Sequence, residues 1–331
     1  MRYLVSGGAG YVGSHLVLAL LDAGHEVVVL DDLSMGHRAA VPTSAEFVQA
    51  TLSDRARVQE IFSAWSFDAV FHMAALSLVG DSMKEPLRYC RENVANSLFL
   101  AETAARAGCT KFVLSSTAAV FGVPREVPIT EEAPTTPVNP YGLSKLMVEQ
   151  ALAWAEGAHG LRSAALRYFN AAGADPAGRA GEDHDPETHL IPRAILATLG
   201  ELPPLHVFGT DYDTPDGTAV RDYVHVADLA AAHIAVLPRL DQGSVRYNIG
   251  NGAGHSVREV MAAVERVAGR PVPHENGPRR AGDPPALVAS SARLRAETGW
   301  TPRFAELDQI VRTAWDWHAA QPNGYRARAA A

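Results

Sequence analysis

The sequence predicts an α/β protein, a doubly wound parallel sheet followed by a smaller C-terminal lobe. Three observations predict it. Through the first half of the chain, short β-branched runs alternate with amphipathic segments, the pattern of strands covered by helices on both faces. A glycine-rich turn stands between the first run and the first amphipathic segment. Near residue 170 the texture changes to Pro- and Gly-rich loops with shorter regular elements between them.

The alternation places strands over residues 3–6, 26–31, 46–49, 68–73, 111–115 and 163–169, six in one sheet. Helices fall over 12–23, 55–64, 87–107 and 140–158. Beyond them, loops at 175–185 and 211–217 separate helices expected at 226–237, 256–268 and 304–319 and a strand at 245–249. The expected division is a dinucleotide-binding domain over 1–170 with associated segments returning near 220–250, a ligand-covering lobe over 171–325, and a frayed tail over 326–331. A chain of 331 residues buries roughly three quarters of its unfolded surface, so its core needs no disulfide or metal.

Composition narrows the function. The net charge of −8 argues against a large basic footprint for nucleic acid or an anionic membrane, so an anionic ligand must be met by local charge. Of 29 basic residues only Lys84, Lys111 and Lys145 are lysines. Cys90 and Cys109 lie outside any C-x-x-C spacing, which excludes a zinc ribbon or redox motif and suits a reducing, cytoplasmic setting. No secretory leader and no membrane-length apolar run is evident. The 13 histidines form no H-E-x-x-H, and Asp183-His184-Asp185 reads as a solvated turn, so no metal is expected. G-x-S-x-G and the phosphate-binding G-x-x-x-x-G-K are also missing.

The turn after the first strand reads Ser6-Gly7-Gly8-Ala9-Gly10-Tyr11-Val12-Gly13. Its glycines let backbone approach a pyrophosphate lying at the positive end of the following helix, the signature of a Rossmann fold. Asp31 ends the second strand, 31 − 10 = 21 residues beyond Gly10, where a carboxylate accepts both ribose hydroxyls of an adenosine. That bond needs a free 2′-hydroxyl, which favours NAD over NADP.

A second constellation begins at Asn139-Pro140-Tyr141, a good N-cap and first helical position. Tyr141 and Lys145 are four apart, hence on one helical face. Bringing a phenol from its usual pKa near 10 to neutrality takes about 4 kcal/mol. One cation about 5 Å away supplies about 3 kcal/mol at an effective dielectric of about 20. Lys145 and a cationic nicotinamide together therefore suffice for a base acting on an alcohol. The fifth strand ends in Ser115-Ser116-Thr117, hydroxyls at the ligand edge of a parallel sheet.

These residues resemble the extended short-chain dehydrogenase/reductases and, within them, the UDP-glucose 4-epimerases. The likeness runs from Met1 to about Tyr325. It is carried by the glycine turn, residues 115–122, Tyr141-x-x-x-Lys145, Leu166-Arg167-Tyr168-Phe169-Asn170, residues 220–226 and residues 279–283. The resemblance implies an isomerase interconverting UDP-galactose and UDP-glucose through a 4-keto sugar, with hydride held transiently on tightly bound NAD. It makes Thr117, Tyr141 and Lys145 catalytic. It assigns cofactor contacts to Gly7, Gly10, Tyr11, Val12, Gly13, Asp31, Asp32 and Leu33, then Thr51, Leu52, Met73, Ala74, Ala75, Asn93, Ser115, Tyr141, Lys145 and Tyr168. Substrate contacts fall on Thr117, Asn170, His189, Leu190, Val207, Phe208, Arg221, Arg280, Asp283 and Leu287, with Arg221 and Arg280 on the diphosphate. It further implies a homodimer joined through the helices that contain Asn93 and Leu146.

Three positions depart from the family. Thr51 stands where an acid commonly meets the adenine amino group, and Ser77 where a lysine often follows the fourth strand. Leu287 occupies the gate for N-acetylated sugars, where a bulky aromatic excludes and a small residue admits, so a UDP-N-acetylglucosamine 4-epimerase remains an alternative. Dehydratases need Asp-Glu after the strand-five hydroxyl and decarboxylases a Glu, whereas this chain has Ala118-Ala119. A non-catalytic NAD-binding sensor is the reading from another class, and such proteins usually lack the Tyr and Lys pair.

Overall fold

The computed structural model describes residues 1–280 and 283–326. Its first half runs β1 (Arg2–Ser6), α1 (Tyr11–Asp22), β2 (Glu26–Asp31), β3 (Glu46–Gln49), α2 (Arg55–Ala64), β4 (Ala69–His72), α3 (Val79–Lys84), α4 (Pro86–Tyr89), α5 (Asn96–Arg106), β5 (Lys111–Thr117), α6 (Pro140–His159) and β6 (Arg162–Tyr168). The second half adds β7 (Asn170–Ala172), α7 (Leu190–Leu199), β8 (Leu205–Phe208), β9 (Val220–His225), α8 (Val226–Ala235), β10 (Val245–Ile249), β11 (Gly254–Ser256), α9 (Val257–Ala268), β12 (His274–Gly277), β13 (Ala286–Leu287), α10 (Ala292–Thr298) and α11 (Leu307–Ala320).

The main sheet has seven strands rather than the six expected, in the order β10-β6-β5-β4-β1-β2-β3. Every neighbouring pair in it is parallel. Strands buried on both faces read as continuous apolar runs, because alternate residues serve different cores. Val5 and Val29 face Leu16, Leu20 and Leu229, whereas Leu4 and Val28 face Val58, Leu100 and Val148. β10 returns to this sheet after the chain has left for the lobe, which is why it escapes a reading in sequence order. A second group of strands, β11-β9-β13 with β7 on β9, stands beside a two-stranded β12-β8 pair. Helices α7, α9 and α11 bury Ile195, Val260, Val264 and Ile310 with them in the lobe's own core.

Three helices, the short α3 along with α7 and α10, were not expected, and one expected helix is interrupted. α7 contains Pro192, which looks like a breaker but lies in the first turn, where no intrahelical N–H is needed. α10 spans only Ala292–Thr298 and carries little periodicity. Over 87–107, a π-helical turn at Cys90–Ala95 separates α4 from α5. There the Asn93 amide donates to the Leu76 carbonyl at 2.9 Å and to Ser144 Oγ at 3.0 Å, and accepts from the Leu76 N–H at 2.8 Å. Of the tail expected to fray, residues 327–331 lie outside the described residues, and Arg326 pairs with Asp185. No helix among the described residues is long and apolar enough to cross a membrane.

α6 is fixed at both ends and in its middle. Asn139 Oδ1 accepts from the Gly142 N–H at 2.8 Å, Pro140 opens the helix, and Gly160 closes it at φ 66°. Glu149, one turn beyond Lys145, is buried with Arg167 of β6; both side chains are 1% exposed, with N–O distances of 2.5–3.1 Å. Ser116 of β5 donates to the same carboxylate, and Phe121 lies 5.1 Å from the guanidinium. Removing one partner of such a pair leaves an uncompensated buried charge and costs about 3–5 kcal/mol, whereas replacing both with apolar side chains is often near neutral. Glu149→Ala should therefore lower unfolding free energy by about 3–5 kcal/mol in urea titrations. Glu149→Met with Arg167→Met should lose less than the single variant, and a larger loss in the double variant would refute the buried-charge account.

Candidate active site

Strand order reverses between β1 and β4, and in an open α/β sheet ligands bind outside the carboxyl ends at that reversal. The chain builds this crevice with glycine. Gly7 takes φ +76°, and a Cβ there would stand 2.5 Å from the Ala74 nitrogen, so β1 and β4 approach where the turn begins. Met73 and Ala74 donate their N–H groups to the Ser6 carbonyl at 2.8 and 3.0 Å, locking the segment that continues to Ala75. A Cβ on Gly13 would lie 2.0 Å from the Gly7 carbonyl oxygen, which binds α1 tightly to the turn. Gly10 differs: a Cβ there meets only that same oxygen at 3.5 Å, and no side chain caps α1. Space and uncapped N–H groups together make an anion cradle at the helix end of Gly10, Tyr11 and Val12.

Asp31 closes the other side of the cradle. Its carboxylate accepts the N–H groups of Ala9 and Leu33, each at 2.9 Å, and burial holds its pKa above the usual carboxylate value against those bonds. Leu33 adopts φ 62°, an uncommon left-handed backbone for leucine at the turn where Asp32 caps the Ser34 N–H at 2.9 Å. Thr51 follows β3, and its hydroxyl lies 3.1 Å from Ser53 Oγ; Leu52 packs under the sheet. These residues fit a dinucleotide: a pyrophosphate at Gly10 and a ribose at Asp31.

At the ends of β5 and β6 the hydroxyl cluster assembles as expected. The Thr117 side chain hydrogen-bonds Tyr141, and Ser115 Oγ bonds the Tyr168 hydroxyl. Lys145 is 2% exposed and donates to the Ser115 carbonyl at 2.7 Å, with two further N–H groups to give. The ring of Tyr141 is partly open while protein encloses its hydroxyl, and burial pushes the phenol up to about 12 although the Thr117 bond works the other way. The expectation that Lys145 lowers the Tyr141 pKa is thus not met in the ligand-free chain. Burial also pulls Lys145 down to about 8, opposed by Glu149, so the ammonium itself is poorly supported.

The lobe brings a second group together. Arg221 of β9 donates to Asp283 at 2.5 Å and to the Val220 carbonyl at 2.7 Å, and Leu287 of β13 is its register partner. Arg280 lies 3.9 Å over the Phe208 ring, beside buried Val207 on β8, and Asn170 sits on β7, alongside β9. Among the described residues the Asn93 side-chain amide bonds Leu76 and Ser144, so it braces the loop after β4. His189 joins Glu182 and Glu187 at 2.7 and 3.2 Å rather than Arg221 or Arg280, and Leu190 packs into the lobe core. The sequence reading of Asp183-His184-Asp185 as a solvated turn is corrected: His184 lies against Glu182, and Asp183 accepts the Tyr325 N–H at 2.8 Å. Tyr212 was missed: its hydroxyl is buried near Arg221 and Asp283 without a hydrogen-bond partner among the described residues, with Arg279 4.5 Å over its ring. Tyr89, whose ring stands 6.5 Å from Tyr141, was missed as well. Neither carries a motif.

The fold and this crevice define a nucleotide-dependent enzyme of the short-chain type. The chain belongs to the NAD dependent epimerase/dehydratase family, whose sequence profile matches residues 3–250. It is 52% identical over 318 residues to the UDP-glucose 4-epimerase of Azospirillum brasilense, covering 96% of this chain and 91% of that one. A crystal structure of a UDP-glucose 4-epimerase superposes with a TM-score of 0.96 at 47% identity, covering 98% of this chain and 100% of that one. The Bifidobacterium longum UDP-glucose 4-epimerase, solved with NAD+ and UDP, superposes at 0.93 with 37% identity, again covering 98% and 100%.

The Lys145 environment generates a stability test. The folded chain holds this amine near 8 against 10.5, so the unfolded chain binds more protons between those values and stability rises with pH across the window. Lys145→Met should stabilise the cofactor-free protein at pH 7 by up to about 3 kcal/mol. The gain should shrink as pH climbs from about 8 to about 10 in chemical denaturation. A gain independent of pH would show that the buried ammonium is not its source.

Proposed function

We propose that the protein interconverts UDP-galactose and UDP-glucose through a 4-keto sugar, using tightly bound NAD. The observation that carries this reading is the Thr117, Tyr141 and Lys145 cluster at the carboxyl edge of the sheet, in a chain 52% identical to a UDP-glucose 4-epimerase. The dinucleotide lies across Gly7 to Gly13, with Asp31, Asp32 and Leu33 at the adenosine ribose and Thr51 and Leu52 at the adenine. Met73, Ala74, Ala75, Ser115 and Tyr168 line the nicotinamide half, with Asn93 bracing them. When bound, NAD supplies a hydride acceptor that holds the hydride and returns it to either face of C4.

The chain's own residues manage the proton. Tyr141 takes it from the sugar 4-hydroxyl, and Thr117, already bonded to Tyr141, bridges the two oxygens. Lys145 gives its remaining N–H groups to the nicotinamide ribose while bearing on the phenol. Inversion requires the hexose to turn within the site, so binding must concentrate on the nucleotide. Arg221 and Arg280 meet the diphosphate, Arg221 exchanging part of its Asp283 contact for it. Asn170, Leu190, Val207, Phe208 and Asp283 supply the remaining contacts, while the His189 side chain turns away to Glu182 and Glu187. In this reading residues 1–170 with 220–250 form the cofactor domain and 171–325 the nucleotide-sugar lobe.

Assembly as a cytoplasmic homodimer is part of the same proposal. Leu98 on α5 and Leu143, Met147 and Trp154 on α6 are exposed, Trp154 at 82%, leaving an apolar face of the kind that a second copy covers. A second substrate is favoured by Leu287, which packs against the pocket of Val120, Phe121, Ile129 and Leu146 and is smaller than an aromatic ring.

Tyr141→Phe should lower turnover of UDP-galactose by about 10²–10⁴ with the circular dichroism spectrum and NAD content unchanged. Near-normal turnover would remove the tyrosine from the mechanism. For specificity, Leu287→Ser should raise the kcat/KM ratio of UDP-N-acetylglucosamine to UDP-glucose, by about tenfold for about 1.4 kcal/mol of relieved crowding. An unchanged ratio would put the gate at another residue.

A further inference from the structure

Away from the cofactor crevice, the loop between β7 and α7 folds four donor side chains onto one point. Glu182, His184, Glu187 and His189 each offer one ligand atom, and these atoms all lie within 4.8 Å of one another. Both carboxylates are buried, Glu182 at 4% and Glu187 at 9% exposure. Histidine Nδ1 to carboxylate oxygen distances are 2.7, 3.2, 3.3 and 3.6 Å. Glu182 Oε1 and His184 Nδ1 are buried without a well-aligned hydrogen bond among the described residues, although His184 and His189 both stand within ion-pair distance of Glu182. Four donor atoms converging on one point are what a shared cation requires once the imidazoles give up their protons.

We propose that these four residues form a structural divalent-metal site of the zinc class, with Nδ1 of His184 and His189 and one oxygen each of Glu182 and Glu187 as ligands. The donor set selects the ion. Two imidazoles and two carboxylates suit a borderline transition ion in four-coordination, whereas calcium and magnesium take six or more oxygens. A tetrahedral zinc with bonds of about 2.0–2.1 Å separates its ligand atoms by about 3.3 Å; the histidine to carboxylate distances of 2.7–3.6 Å bracket that spacing, and the widest separation among the four donors is bounded by 4.8 Å, so binding would draw them slightly closer. Charge agrees: a dication balances two carboxylates beside two neutral imidazoles, and its binding releases the protons those imidazoles otherwise hold.

The surroundings orient the ligands as a metal site needs. Glu187 Oε1 accepts the N–H groups of Thr188 and His189 at 2.7 and 2.8 Å, fixing the carboxylate on its backbone. The His184 ring stands edge-on to Tyr11, which itself donates to the Gly173 carbonyl at 2.6 Å. A cavity running past Arg193 and Pro322 reaches the cluster from the surface. The bound ion would staple the loop between the glycine turn and the start of α7.

The test uses the full chain, stripped with a chelator and then given zinc ions alone. The wild type should retain about one zinc per chain through gel filtration, and His184→Ala and Glu187→Gln should each cut that retention by about 10–100-fold. Cobalt(II) in place of zinc should show the intense visible bands of a tetrahedral site in the wild type and lose them in the variants. If a variant fails to fold, the wild type decides alone, since zinc should raise its thermal midpoint and the chelator should return it. Zinc retention no higher in the wild type than in folded variants, or a midpoint indifferent to zinc and chelator, would leave a plain carboxylate and histidine ion cluster and overturn the proposal.

Discussion

The buried pair of Glu149 and Arg167 sets the geometry on which the reacting groups depend. Glu149 lies one turn from Lys145 and two from Tyr141, so the carboxylate fixes both the rotation and the depth of α6. Its partners come from the two strands that end at the site: Ser116 of β5, next to Ser115 and Thr117, and Arg167 of β6, next to Tyr168. A helix free to roll by one residue would swing Tyr141 about 100° away from Thr117. Three buried polar groups that satisfy one another, at an energetic cost in desolvation, therefore act as a positioning device as much as a source of stability. The same carboxylate is the group that opposes the fall in the Lys145 pKa.

A comparable economy holds the lobe to the sheet. On β9, adjacent residues point to opposite faces, so Arg221 faces the ligand side while Asp222 faces the protein. Asp222 accepts the N–H groups of Asn251, Gly252 and Ala289 at 2.8, 3.0 and 3.0 Å. Those bonds tie the end of β10 and the segment carrying Leu287 to the strand that carries Arg221. The specificity position and the diphosphate position are thus set by one buried carboxylate, and a change at Asp222 would move both together.

Much of this was legible in the sequence wherever local physics decides. The glycine turn, Asp31, the capped start of α6 and the Tyr141 and Lys145 pair follow from backbone sterics, capping and helical spacing, and each lies where that reasoning put it. The pairing of β10 with β6 was not legible, because no local signal records a partner strand 77 residues or more away. The π-helical turn was hidden for a related reason: it exists so that Asn93 can bond Leu76 and Ser144, contacts invisible until the fold brings them together. The Glu182 to His189 cluster was misread because only the middle of it, Asp183-His184-Asp185, was weighed. Of the outer donors, Glu182 fell in the expected loop at 175–185, His189 was assigned to the substrate and Glu187 was not singled out; only the turn of the loop brings them together.

Charge is where the structure changes the account most. In the ligand-free chain Tyr141 sits near 12, so reaching a phenolate at pH 7 asks for about five units, or about 7 kcal/mol. Even a cation about 5 Å away would supply only about 3 kcal/mol at an effective dielectric of about 20, and Lys145 is itself held near 8. The chain alone therefore does not make a base. A second positive charge is needed, and an oxidised nicotinamide ring carries one that disappears when hydride arrives. The tyrosine would then be a strong acceptor while the sugar alcohol is losing hydride and a ready donor once the ketone must be reduced. Burial that looks unfavourable for catalysis in the free protein is what makes the phenol sensitive to that charge, because a solvated tyrosine would be screened from it.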